Sequence, residues 1–244
     1  MNKEREREIL KILLAQKKVA VSELAARLYA GESSIRRDLA SLEHQRLIKR
    51  VHGGAVLEES SLSALKIPFV IRELEESEAK VTMARAAAEY VKDYDVIFLD
   101  ASSSAYNLVP FLAVKNHITV MTSGIKTLLA LGEYGIKAIS TGGELIASCQ
   151  SLVGEAAYKS IASINADICF FSCRGLDLDG RLTDISDSEN IVRQRMIEFS
   201  RRSYLLCAKS KLEKKYFHNL CRADDISGII SEAPLPSPLA KYQA

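Results

Sequence analysis

Between Asp95 and Ser231 the sequence alternates two patterns: short runs dense in Val, Ile, Leu and Phe, and longer stretches with helically spaced apolar residues. The first kind comprises "DVIFLD", "ITVMTS", "IKAIST", "ADICFFSC", "RSYLLCA" and "ISGIIS"; the second comprises "SAYNLVPFL", "IKTLLALGEY", "GEAAYKSIASI" and "NIVRQRMIEFS". Strands apolar on both faces need cover on both faces, and intervening helices supply it. The alternation predicts an α/β fold with a doubly wound, mostly parallel sheet. A helical pattern from Pro68 to about Lys92 precedes it. The closing "APLPSPLAKYQA" is Pro-rich and reads as a fraying or surface tail.

Residues 1–57 follow another plan. "REREILKILLAQKK" places Ile9, Leu10, Leu13 and Leu14 on one helical stripe. A brief extended piece follows, then a helix with Ser22 as its N-cap and Leu24 and Leu28 inward. After the break "YAG" a helix runs from about Ser33 to Gln45, docked by Ile35, Leu39 and Leu42. Leu47, Ile48 and Val51 suggest a strand, Gly53-Gly54 a turn, and Ala55 to Leu57 a second strand. Three helices and a hairpin make a winged helix-turn-helix. The expected division is therefore 1–57 winged helix-turn-helix, 58–67 linker ("EESSLSAL" and its flank), 68–232 α/β domain, and 233–244 tail.

Composition narrows the function. A chain of 244 residues, 48% hydrophobic, can bury a proper core. Its apolar runs are too short to cross a bilayer, so no membrane partner is expected. "MNKEREREIL" lacks the apolar segment of a signal peptide. Five cysteines without CxxC spacing suggest a reducing cytoplasm and neither a metal site nor a cofactor. Residues 1–57 carry twelve Lys/Arg against seven Asp/Glu, whereas the remainder carries 21 against 24. A basic head on a mildly acidic body directs the head toward a polyanion.

The docked stripe of "SSIRRDLASL" leaves Arg37 and Ser41 pointing outward, Arg36 on the flank, and Ser33 and Ser34 at the N-terminal end. Arginine at such a place can pair bidentately with guanine. Ser22, Arg36 and the basic wing, Lys49, Arg50 and His52, are the expected DNA-backbone contacts, with Gly53 allowing close approach. Asp38, nearer the docked side, is expected to orient a neighbouring cation. "SSIRRDLASLEHQRLIKRVHGGAVL" resembles the head of DeoR-family bacterial transcription regulators. Ile35, Arg36, Arg37, Asp38, Leu39, Leu42, Arg50, His52, Gly53, Gly54 and Ala55 match its signature, and Ser34 stands at a threonine. Gly31 stands where the family's cap serine is usual; glycine is a tolerable cap.

The resemblance continues through the body. It implies a fold similar to ribose-5-phosphate isomerase and a small-molecule effector, a phosphorylated sugar or related metabolite. The residues suggest the same kind of pocket. Asp100 ends a strand, and Ser102, Ser103 and Ser104 open a helix beyond it, a natural phosphate cradle. Thr122 and Ser123, Gly142 and Gly143, and Lys209 and Lys211 follow other strands and should open on the same edge. Against the family pattern, Ser102 replaces a glycine, Ala208 replaces an aspartate, and Arg193 stands where lysine is frequent.

The leading expectation is a repressor of a carbohydrate uptake or catabolic operon. It would bind double-stranded operator DNA as a homodimer or homotetramer and be released by its effector. The rival reading is a sugar-phosphate isomerase-like enzyme in which Asp100, Asp184, Asp187 or Glu189 serves as general base. A redox sensor built on Cys169 and Cys173 lacks electropositive surroundings for the thiols.

Overall fold

The computed structural model describes residues 3–57 and 67–244, and these form two compact units dividing between Glu75 and Glu76. The expected linker lies mostly outside the described residues.

The first unit opens with helix α1 (Lys3–Gln16), strand β1 (Lys18–Ala20), α2 (Val21–Arg27) and α3 (Glu32–His44). A hairpin follows, β2 (Ile48–Val51) and β3 (Gly54–Leu57), and β1 pairs with β3 to give the order β1-β3-β2. Ile9, Leu10, Leu13, Leu24, Ile35, Leu39 and Leu42 meet in one core, as their helical spacing requires. Gly31 is the N-cap of α3. Ser22 is not a cap: Ala20 holds that place, and Ser22 is the exposed second residue of α2. β1 pairs with β3 up to Ala20, so the strand runs straight into the helix and leaves no residue for a separate cap.

Two wing glycines have different causes. Gly53 has φ +73°, which an L-side chain adopts only with strain. Gly54 packs so closely on β1 that a Cβ there would overlap the Val19 carbonyl oxygen.

The helical pattern after Pro68 is two helices, α4 (Phe69–Leu74) and α5 (Ser77–Glu89), broken at Glu76 with φ +51°. Ile71 of α4 is buried in the first unit's core, and Ile67, Val70 and Leu74 pack against it. That segment therefore belongs with the head, and the α/β unit begins at Glu76 rather than at residue 68.

The main sheet of the second unit has six strands, all paired in parallel: β4 (Val96–Leu99), β5 (Thr119–Thr122), β6 (Lys137–Ser140), β9 (Ile168–Phe171), β12 (Ser203–Leu206) and β14 (Gly228–Ile230), in the order β14-β12-β9-β4-β5-β6. Each of the six apolar runs became one of them. Alternate residues feed two cores. Ile97, Leu99, Ile168, Phe170 and Leu206 face one, with α5, α6 (Ser103–Tyr106), α7 (Val109–Leu112) and α8 (Ile125–Glu133). Phe98, Cys169, Phe171 and Leu205 face the other, with α9 (Glu155–Ala162) and α10 (Asp187–Glu198). The sheet is doubly wound, as the alternation requires.

Two additions were not foreseen: a hairpin of β7 (Glu144–Ile146) and β8 (Ser151–Val153), and an antiparallel sheet of β10 (Gly175–Leu176), β11 (Arg181–Asp184) and β13 (His218–Arg222). The tail is also ordered. Leu235 and Leu239 are buried in the second core, and Ser237–Tyr242 forms a 3-10 helix. Two apolar anchors outweigh the prolines there.

Candidate functional site

In the first unit, α3 and the wing carry nine of the ten residues expected to meet DNA; Ser22, on α2, is the tenth. Ser33, Arg36, Arg37, Lys49, His52 and Gly53 are exposed. Arg36 forms an exposed ion pair with Glu32 at 2.9 Å, so its charge is shared along the helix flank. Arg37 makes only long contacts, Nε to the Ser33 carbonyl and Nη2 to Ser34 Oγ, each at 3.5 Å. Ser41 Oγ accepts from Gln45 Nε2 at 3.2 Å. Arg50 is held rather than free. Glu43 of α3 accepts from its backbone N at 2.9 Å and from its Nε at 2.6 Å, which fixes the wing to the helix. These bonds hold the Glu43 carboxyl below its ordinary value. Asp38 is buried and accepts from Arg5 Nε of α1, the cation-orienting role expected of it.

Tyr29 was not singled out from the sequence. It stands in the turn between α2 and α3, 98% exposed, with φ +49°. A bulky aromatic in a tight turn that glycine or asparagine would fill more comfortably was the available signal.

In the second unit the chain leaves β4 in one direction, through β5 and β6, and continues past it in the other, through β9, β12 and β14. The order reverses between β4 and β9, and the crevice at the carboxyl ends there is where such sheets take ligands. Asp100 and Ser172 stand at that point. Asp100 is 1% exposed and already fully engaged. Its Oδ1 accepts from Ser102 N at 3.1 Å, and its Oδ2 accepts from Ser172 N at 3.3 Å and from Arg193 Nε at 2.9 Å. Arg193 also donates from Nη1 to Asp184 Oδ2 at 3.0 Å and to Asn190 Oδ1 at 3.1 Å, with Glu189 3.8 Å from Nη2. Three buried carboxylates raise the Arg193 pKa, outweighing the desolvation that lowers it, and the guanidinium stays charged.

The serines divide their labour. Ser102 caps α6, its Oγ accepting from Ala105 N at 3.0 Å. Thr122 Oγ1 accepts from Gly124 N at 3.0 Å and so shapes its own loop. Ser103 is buried. Ser104 Oγ and Ser123 Oγ are buried with no hydrogen-bond partner, and so is Thr127 Oγ1 of α8, which the sequence pattern did not single out. These hydroxyls stand on loops and helices that meet where a Cβ on Gly124 would lie 3.1 Å from Ala101 Cα. A buried hydroxyl without a partner costs about 1–3 kcal/mol, which a hydrogen-bonding ligand removes.

Of the two lysines, Lys211 turns inward, its Nζ donating to Ser172 Oγ at 2.6 Å, while that hydroxyl donates to the Leu206 carbonyl. Lys209 stays exposed. Gly142 and Gly143 have φ of +66° and +107°, but the close approach at Gly143 is internal: a Cβ there would overlap the Val153 carbonyl oxygen. Gly143 is thus packed on β8, whereas a Cβ on Gly142 would meet nothing within 4 Å. The carboxylates weighed as general bases are also committed, Asp100, Asp184 and Glu189 to Arg193, and Asp187 to His218 at 3.5 Å. Burial raises the Cys169 thiol and pushes that of Cys173 up to about 11, which disarms both as redox sensors.

A winged helix-turn-helix followed in the chain by a doubly wound sheet is the architecture of a transcription regulator with a reader and a sensor. Residues 5–61 match the DeoR-like helix-turn-helix domain, and residues 75–233 match the DeoR C terminal sensor domain. The chain belongs to the DeoR family of transcription regulators. It is 33% identical over 233 residues to the uncharacterized HTH-type transcriptional regulator YulB of Bacillus subtilis, covering 95% of this chain and 89% of that one. It is 31% identical to the L-fucose operon activator of Haemophilus influenzae (98% and 95% covered) and 28% identical to the glycerol-3-phosphate regulon repressor of Escherichia coli K12 (96% and 92%). These relatives are regulators, not enzymes. Among solved structures, eIF2B delta from Chaetomium thermophilum is similar in fold, with TM-score 0.50 and 16% identity over 68% of this chain and 62% of that one. Ribose 5-phosphate isomerase A from Methanocaldococcus jannaschii gives TM-score 0.44 at 16% identity, covering 57% and 56%. Among the described residues no helix is long and apolar enough to cross a membrane.

Proposed function

We propose that this chain is a cytoplasmic repressor of a carbohydrate uptake or catabolic operon, released from its operator by a phosphorylated sugar or related metabolite. The observation that carries the effector half is the set of unpartnered buried hydroxyls, Ser104 and Ser123, at the sheet's carboxyl edge, with Lys211 turned in at Ser172 on the same edge. Hydroxyls, helix N-termini and one ammonium are the chemistry of a phosphate cradle. The relatives' names, an L-fucose operon activator and a glycerol-3-phosphate regulon repressor, favour a sugar or polyol phosphate.

In the reader, Arg37 takes a base edge, while Arg36, Lys49 and Tyr29 take phosphates. Arg50 acts chiefly by holding the wing on α3. One recognition helix reads few base pairs, so a homodimer or homotetramer on repeated half-sites is required. Release follows if the effector prefers an arrangement that binds DNA poorly.

The test is a thermal-shift screen of the full chain against phosphorylated sugars, followed by operator gel shifts with each hit. A ligand at a hundred times its Kd stabilises by about 2.7 kcal/mol. A hit that raises stability and releases DNA supports the reading; hits confined to unphosphorylated sugars overturn the phosphate assignment.

A further inference from the structure

Helix α1 carries Arg5 and Arg7 two residues apart. At about 100° per residue their side chains leave the helix on nearly opposite sides. Arg5 Nε donates to Asp38 Oδ2 in the middle of α3. Arg7 Nη2 pairs with Glu73 Oε1 of α4 at 3.0 Å. Both carboxylates are buried, Asp38 at 1% and Glu73 at 4% exposure, and a charge so placed persists only when it is paired. Asp38 faces the core side of the helix that presents Arg37, so its bond to Arg5 sets how that helix is rolled. Glu73 belongs to the last helix of the first unit, whose Ile71 is in the same core. After α4 come Glu75 and then Glu76, held in the left-handed region at φ +51°, and α5 of the sensor unit starts at Ser77.

We infer that Arg5, Arg7, Asp38 and Glu73 form a relay of positioning residues, through which α4, the segment tethered to the sensor unit, sets the recognition helix by way of α1. None of the four needs to touch DNA. α4 is the output element: a pull on it at Glu76 is felt first at Glu73–Arg7, then as a shift of α1, then at Asp38. The inference rests on the reading that α3 meets DNA. It is independent of what the sensor binds, and no effector enters its test.

The experiment uses the full-length chain and an operator duplex that it selects from a random-sequence pool. Glu73→Gln is expected to weaken binding about fivefold and to speed amide exchange along Ile35–Leu42. The slope of affinity against salt should stay unchanged, because no phosphate contact is lost. Adding Asp38→Asn to Glu73→Gln should cost less than about twofold more, since both act through one path. The swapped pair Arg7→Glu with Glu73→Arg should restore affinity. Unchanged affinity in Glu73→Gln, effects that multiply in the double variant, or a shallower salt slope would each overturn the relay. If Glu73→Gln fails to fold, Glu73→Asp, which keeps the charge but shortens the reach, takes its place in the same measurements, and the same results support or overturn the relay.

Discussion

Arg193 Nε donates to Asp100 Oδ2 at 2.9 Å, tying the middle of α10 to the end of β4 across 93 residues of chain. Asp100, the residue most obviously placed to meet a ligand, is thereby a strut of the crevice. Removing one member of a buried pair costs about 3–5 kcal/mol, because the other charge is left without its partner. Arg193→Met should therefore destabilise the sensor unit by roughly that amount in urea unfolding. Arg193→Lys should fall between, since one ammonium cannot reach both Asp100 and Asp184 as a fork does. A loss under about 1 kcal/mol in Arg193→Met would remove the strut role.

The unpartnered hydroxyls make the opposite prediction. Ser104→Ala and Ser123→Ala each delete a buried group that has no bond to lose. Without ligand both variants should be as stable as the parent or more so, by up to about 1 kcal/mol. With a bound phosphorylated sugar, the thermal shift should shrink instead. A variant that is destabilised when free and binds normally would place the ligand elsewhere.

The wing separates two uses of glycine. Gly53→Ala meets no neighbour but must hold φ +73°, at a cost of about 1–2 kcal/mol. Gly54→Ala drives a methyl into the Val19 carbonyl and must open the β1–β3 pairing. In thermal unfolding of the first unit, Gly54→Ala should be the more damaging of the two. The reverse order would contradict the close packing of β3 on β1.

How far this was legible depends on the range of each interaction. The six parallel strands could be read because burial on both faces makes Val96–Leu99 or Ile168–Phe171 continuous apolar runs. Strands β10, β11 and β13 could not, since "GL", "RLTD" and "HNLCR" are short and mixed, and only pairing with each other makes them strands. α4 read as part of a longer helix because Phe69, Val70, Ile71 and Leu74 say that a face is buried, not against what. The break at Glu76 has no glycine or proline to announce it. The reader's outward face was visible in spacing alone, and Asp38's inward role with it. In the sensor the polar loops at the strand ends could be placed from the sequence, but not which hydroxyl caps a helix and which is left unpaired. Only the three-dimensional structure shows that Ala105 N takes Ser102 Oγ while Ser104 Oγ and Ser123 Oγ are left without a partner.

The wing's tether to α3 is pH-dependent. Arg50's two hydrogen bonds hold Glu43 below its ordinary value of 4.5, so the tether is complete above that value and is lost as pH falls through the lowered one. NMR signals of Ile48–Leu57 should move together below the ordinary carboxylate range while signals of the sensor sheet hold. Glu43→Gln should abolish this step. A step that survives the substitution would assign it to another carboxylate.

The thiols should be silent. Cys169, Cys173 and Cys207 lie in the second core, and burial raises all three, Cys173 to about 11. Cys221, half-buried, is pushed up to about 12. A thiolate is the reactive form, so at pH 8 these groups should react with a disulfide reagent only as fast as the sensor unit opens. Cys149, half-buried in the β7–β8 turn, should be labelled first. Full denaturant should then release the remaining four, Cys169, Cys173, Cys207 and Cys221, at once. Rapid labelling of Cys169 or Cys173 in the folded chain, identified by peptide mapping, would revive the redox reading that their burial argues against.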